Sequence, residues 1–165
     1  MAYVGEFNSG AAEIAIPILD RAGLGMVSPS ATADALTAIP ADNFVRLAPT
    51  DEAEGRMLRR LTREEGCCRK VRVQTTPGDY SEAVTKGFGA VGPAGEDPDC
   101  VVFTGVATGA AARELAGLAR SLPDAKLFAG QGANDPAFLD REGREKQRWV
   151  GSFDPDAALA AARGT

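Results

Sequence analysis

Short apolar runs recur along the chain at helix-length intervals, at 24–28 (LGMVS), 70–76 (KVRVQTT), 100–104 (CVVFT) and 126–129 (KLFA). No other feature limits the fold as strongly. A strand, a helix-length segment and another strand bring the chain back to the same sheet, and repetition of that unit builds parallel sheets with right-handed crossovers. CVVFT carries no charge, as expected of a central strand buried on both faces. Apolar residues make up 44% of the sequence and aromatics only 6%. With so many Ala and Gly, that composition suits helices packed closely on a sheet better than an aromatic-rich sandwich. The expected class is therefore α/β, with mainly parallel sheets flanked by helices. At 165 residues the chain fits one ordinary domain.

The remaining elements follow from local chemistry. Residues 2–7 predict a strand, and Asn8-Ser9-Gly10 is expected to cap a helix over 11–22. Pro17 would kink that helix or sit near its start, and Gly23 would end it in a left-handed conformation. A short helix at 33–37 and a brief strand at 44–47 lead to a helix opened by Thr50-Asp51-Glu52. Met57, Leu58 and Leu61 form the inner face of that helix, and Arg59, Arg60 and Arg63 are read as a solvated outer face. The helix at 81–91 is weakened by Gly87 and Gly89. The helix at 108–122 turns Ala111, Leu115, Leu118 and Ala119 inward. After a turn at 130–134 come a short helix at 135–139, a strand at 147–152 and a terminal helix at 156–163.

Composition excludes several chemistries. There is no His, so Ser-His-Asp and Cys-His catalysis and His-ligated zinc are absent from this chain. A formal charge of −5 without a basic run argues against nucleic acid as a partner. No apolar run approaches the roughly 20 residues of a membrane helix, so membrane insertion is not expected, and MAYVGEFNSG (1–10), without a basic start or a long apolar core, is not expected to act as a signal peptide. Cys67, Cys68 and Cys100 form no disulfide framework and are read as small buried or half-buried apolar residues. Cys67-Cys68, Asp79-Tyr80 and Glu96-Asp97-Asp99 lack the spacing of a nucleophile, base and orienting group, so no enzyme, cofactor or metal site is predicted.

The polar loops of 5–32 carry the binding chemistry. Asn8 and Ser9 end the first strand of this stretch, and Ser30, Ala31 and Thr32 end the second, so both loops would open at carboxyl ends of neighbouring parallel strands, where open α/β sheets hold ligands. Hydroxyls and free backbone N–H groups there suit a carboxylate. Read alone, Ser9 and Thr32 would equally serve as helix caps.

GEFNSGAAEIAIPILDRAGLGMVSPSATADALT (5–37), FVRLAPTDEAEGR (44–56), DYSEAV (79–84), EDPDCVVFTG (96–105) and LFAGQGANDPAFL (127–139) together resemble the leucine-binding, type I periplasmic binding proteins of branched-chain amino acid ABC transporters. The resemblance implies an incomplete, shortened version of that fold, with Rossmann-like lobes: a remnant of the first lobe at 1–46 and a second-lobe-like portion at 47–165, or one merged domain. It implies capture of a small amino acid or carboxylate ligand, an ABC permease as partner and a periplasmic or extracellular location. Without a signal in the chain, a cytoplasmic location stays open. Ser9, Ala31 and Thr32 match positions that hold the ligand's carboxylate and ammonium groups. Gln131 stands where many relatives place an acidic residue, and Val106 where they carry an aromatic. VRVQTTPGDY joins directly where relatives have a further helix and strand. The alternative is a shortened interaction module, pairing as a homodimer to cover exposed strand edges.

Overall fold

The computed structural model of the chain describes residues 1–64, 68–133 and, as backbone only, 147–149. It divides into two compact units, Met1–Asp51 and Glu52–Thr165. The predicted helices at 135–139 and 156–163 lie outside the described residues.

The first unit is a parallel sheet of β1 (Ala2–Val4), β2 (Gly25–Ser28) and β3 (Phe44–Arg46), in that spatial order. Helix α1 (Ser9–Arg21) connects β1 to β2, and a 3-10 turn (Asp34–Ala38) lies between β2 and β3. α1 is continuous from Ser9 to Arg21 with Pro17 in its interior. The hydrogen bond that Pro17 cannot donate would have gone to the carbonyl of exposed Glu13, where water can replace it. Gly23 ends the helix at φ +66°, with Leu24 N–H bonded to the Leu19 carbonyl and Gly23 N–H to that of Asp20. That pair of bonds is the Schellman closure for which glycine is suited. Ala12, Ile16, Met26, Ala31 and Leu36 form the core.

The second unit is a parallel sheet in the order β4 (Val71–Gln74), β5 (Cys100–Phe103), β6 (Lys126–Ala129), β7 (Gln147–Trp149). Helices α2 (Asp51–Glu64), α3 (Asp79–Phe88) and α4 (Gly109–Ser121) accompany it. All four residues of β5 are buried, and their alternation feeds two cores. Val101 and Phe103 pack with Ala111 and Leu115 of α4, whereas Cys100 and Val102 pack with Leu58, Val84 and Phe88 of α2 and α3.

Three local readings are corrected. Cys68 and Cys100 form a disulfide, with Cα atoms 5.8 Å apart; Cys67 lies outside the described residues. The cause is register: Val71 pairs with Cys100, which sets the amino end of β5 beside the segment entering β4. Arg59 is not merely solvated, because its guanidinium stands 5.2 Å from the Phe88 ring centre and donates to the Ala90 carbonyl. Gly87 is not simply a weak helix residue. A methyl on it would stand 2.1 Å from the Glu52 carbonyl oxygen, and one on Gly55 would stand 2.1 Å from that of Val84. Both glycines allow α2 and α3 to meet backbone to backbone.

Candidate functional site

In the first unit the parallel pairing of β1 and β2 sets their following loops side by side, as the sequence predicts. Side chains stitch the loops together. Ser28 Oγ donates to the Glu6 carbonyl at 2.8 Å, and Ser30 Oγ to the Phe7 carbonyl at 2.9 Å. Ser9 Oγ accepts the backbone N–H groups of both Thr32 and Ala33, each at 3.1 Å. Its own O–H proton is then available to an acceptor beyond the loops.

Asn8 occupies the N-cap of α1 with extended backbone, φ −92° and ψ 137°, but makes no side-chain cap bond. Nor does Ser9 cap α1, since its hydroxyl serves the second loop. The expected Asn8-Ser9-Gly10 cap is therefore corrected: a hydroxyl at the first helical position reaches a partner 23 residues away. Ala31 is fully buried and its N–H is bonded to Ser28 Oγ, so its methyl packs in the core.

Two residues behind the second loop were not foreseen as parts of this site. Arg46 Nη1 donates to the Ala33 carbonyl at 2.7 Å and the Ala31 carbonyl at 3.4 Å. Asp51 N–H donates to the Thr32 carbonyl at 3.1 Å, and the nearby Thr32 side chain favours the charged form of the Asp51 carboxylate. Asp51 is only 4% exposed, and its Oδ1 has no hydrogen-bond partner among the described residues. Burial raises its pKa above 3.8; the Thr32 hydrogen bond opposes that, the Asp34 charge adds to it, and Arg46 opposes it. Asp51 read from sequence is only an acid in the first turn of a helix.

In the second unit Gln131 opens a 3-10 turn (Gln131–Ala133) at the carboxyl end of β6 and is half-buried. Buried Glu54 holds this loop from behind: its Oε1 accepts the Gln131 N–H and the Tyr80 hydroxyl, the latter at 3.0 Å. Tyr80 Oη in turn accepts the Gly132 N–H at 2.9 Å. A methyl on Gly130 would lie 2.4 Å from Glu54 Oε1, and one on Gly132 would lie 2.5 Å from the Tyr80 ring. Gly-Gln-Gly thus fits a loop clamped by a carboxylate and a phenol, neither of which the sequence reading connected with it. Val106 is 44% exposed, with its N–H bonded to Thr76 Oγ1.

A groove of about 780 Å³ lies beside the start of α3, lined by Thr75, Thr76, Ser81, Thr85, Glu82 and Lys86. Lys86 is paired with Glu52. No described helix is long and apolar enough to cross a membrane.

No protein-family model and no curated protein matches the sequence. Solved structures do match. The branched-chain amino acid transporter substrate-binding protein LivJ of Streptococcus pneumoniae, solved with isoleucine, superposes with a TM-score of 0.70 at 24% identity, over 99% of this chain and 56% of that one. A putative branched-chain amino acid ABC transporter protein of Rhodospirillum rubrum gives 0.67 at 20% identity, over 96% and 54%. A solute-binding protein of a Rhodopseudomonas palustris ABC transporter, solved with p-hydroxybenzoic acid, gives 0.60 at 15% identity, over 81% and 44%. The chain therefore has the fold of ABC transporter substrate-binding proteins and spans about half their length.

Proposed function

We propose that the chain is a solute-binding module that captures a small amino acid-like or carboxylated ligand. The observation that carries this reading is Ser9, whose oxygen is filled by the Thr32 and Ala33 N–H groups while its proton remains to be donated. A ligand carboxylate is a suitable acceptor, because hydrogen bonds to charged groups are the strong ones. The Thr32 hydroxyl oxygen has lone pairs that suit an ammonium. Isoleucine and p-hydroxybenzoic acid, the ligands of the two relatives above, share the carboxylate and differ in the ammonium.

On this reading Asn8, Ser9, Ser30, Ala31 and Thr32 belong to the site in the first unit, with Ala31 contributing backbone. Gln131 is proposed separately, as a neutral hydrogen-bonding ligand contact of the second unit. Residues 1–46 and 47–165 are assigned to first-lobe and second-lobe portions on the same footing. An ABC permease is the partner, no reaction is catalysed, and the location is periplasmic or extracellular. The Cys68–Cys100 disulfide supports that location, since such bonds persist outside reducing compartments.

Isothermal titration with isoleucine, leucine and 4-hydroxybenzoate tests the proposal. Saturable binding that weakens about tenfold or more in Ser9→Ala is expected, given roughly 1.5–3 kcal/mol for a hydrogen bond to a charged group. No heat at millimolar ligand would sink it. A second reading, self-association, is favoured by Val4, Val45 and Leu47, which are 75%, 54% and 72% exposed. Sedimentation at rising concentration decides it: a strict monomer removes the motive.

A further inference from the structure

We propose that Cys68, Cys100 and Asp99, once the disulfide is reduced, form a binding site for a soft divalent cation such as Zn²⁺. The two sulfurs and a carboxylate oxygen of Asp99 all lie within 4.8 Å of one another. Two thiolates sharing a tetrahedral zinc at about 2.3 Å each stand nearly 4 Å apart, so opening the S–S bond needs little backbone movement. The Cα separation of 5.8 Å accommodates both states.

Asp99 is already held in place. Its Oδ2 accepts the Arg69 N–H at 2.8 Å and its Oδ1 the Lys70 N–H at 2.9 Å, which orients the carboxylate while leaving each oxygen a lone pair. Oriented donors of this kind supply the outer support that metal ligands need. Cys100 is buried at the start of β5, and its register with Val71 fixes its position relative to the Cys68 segment. Cys68 lines a cleft of about 200 Å³ together with Arg59, Arg63 and Arg69, which gives a reductant and a cation access. Two thiolates and a carboxylate carry three negative charges, enough to hold a dication beside the arginines; three protein ligands leave the fourth position to water.

The chemistry balances with a thiol reductant. Two equivalents of thiol transfer two electrons and two protons to the S–S bond, yielding two Cys thiols and one external disulfide. Metal binding then releases up to two protons to solvent.

The test titrates the full chain, reduced with a phosphine and kept anaerobic, with Co²⁺ and then Zn²⁺. One equivalent of Co²⁺ with a thiolate-to-cobalt absorption band, displaced by Zn²⁺, is expected in the reduced protein and absent in the oxidised one. Cys68→Ser and Cys100→Ser should abolish the band, Asp99→Asn should weaken binding about tenfold or more, and Cys67→Ser should leave it unchanged. Cys68→His cannot form the disulfide yet keeps a nitrogen ligand, so it should still bind Zn²⁺. A folded reduced chain with no band overturns the proposal. So does a band lost in Cys67→Ser but indifferent to Asp99→Asn, and so does a reduced chain that unfolds and is not restored by Zn²⁺.

Discussion

The two sheets of this molecule are built from the same strand-helix alternation and end in different conditions. In the second unit every residue of β5 is buried, with α4 on one face and α2 and α3 on the other. In the first, Met26 and Phe44 lie under α1, whereas Val4 and Val45, in register with Val27, remain 75% and 54% exposed. A parallel sheet ordinarily has both faces covered. The contrast teaches that alternation fixes strand direction, while the number of helices available decides how much of each sheet is closed.

The sharpest way to break that comparison is to truncate equivalent apolar side chains. Phe103→Ala, in the closed sheet, should cost about 3–5 kcal/mol. Val45→Ala, on the open face, should stay within about 0.5 kcal/mol. Urea unfolding of each measures both, and equal costs would end the contrast. Next in size is the staple found only in the second unit. Replacing Cys68 and Cys100 together by Ala frees a loop with a sequence separation of 32. The expected loss is about 3–4 kcal/mol on the chain-entropy account. Hydrogen exchange should rise in β4 and β5 and stay unchanged in β1 and β2; a uniform rise would show that the units do not unfold separately.

The smallest expected effect is in the first unit, at Asp51. Burial raises its pKa above 3.8, so its neutral form is the one the folded state favours. That contribution is fully present below the unfolded value and is lost as pH rises through the raised folded value. Asp51→Asn should therefore flatten the acid side of the stability profile and unfold at slightly higher temperature near neutral pH. A lower melting temperature at every pH would mean that the Thr32 and Arg46 contacts outweigh burial.

What was legible in the sequence was whatever depended on neighbours along the chain. CVVF announces a buried strand because it is an unbroken apolar run with no polar face, and Gly23 announces a helix end because its conformation is its own. The adjacency of the 8–10 and 30–32 loops followed from strand order. Partners across space were not legible. Cys68 finds Cys100 through sheet register, and Ser9 finds Thr32 rather than its own helix. Glu54 reaches Gln131 because α2 passes behind the loop after β6. Propensity scored Gly87 as a flaw since nothing local reveals a second backbone pressed against it.

That close passage of α2 and α3 has a consequence for how the sequence can change. Gly55 lies against Val84 and Gly87 against Glu52, so any single substitution at either position pushes one helix off the other. Enlarging both does not help, because each would clash at a different point of the same crossing. The pair is an evolutionary dead end at its own contact: neighbouring positions can drift, but the two glycines can be exchanged only by moving a whole helix.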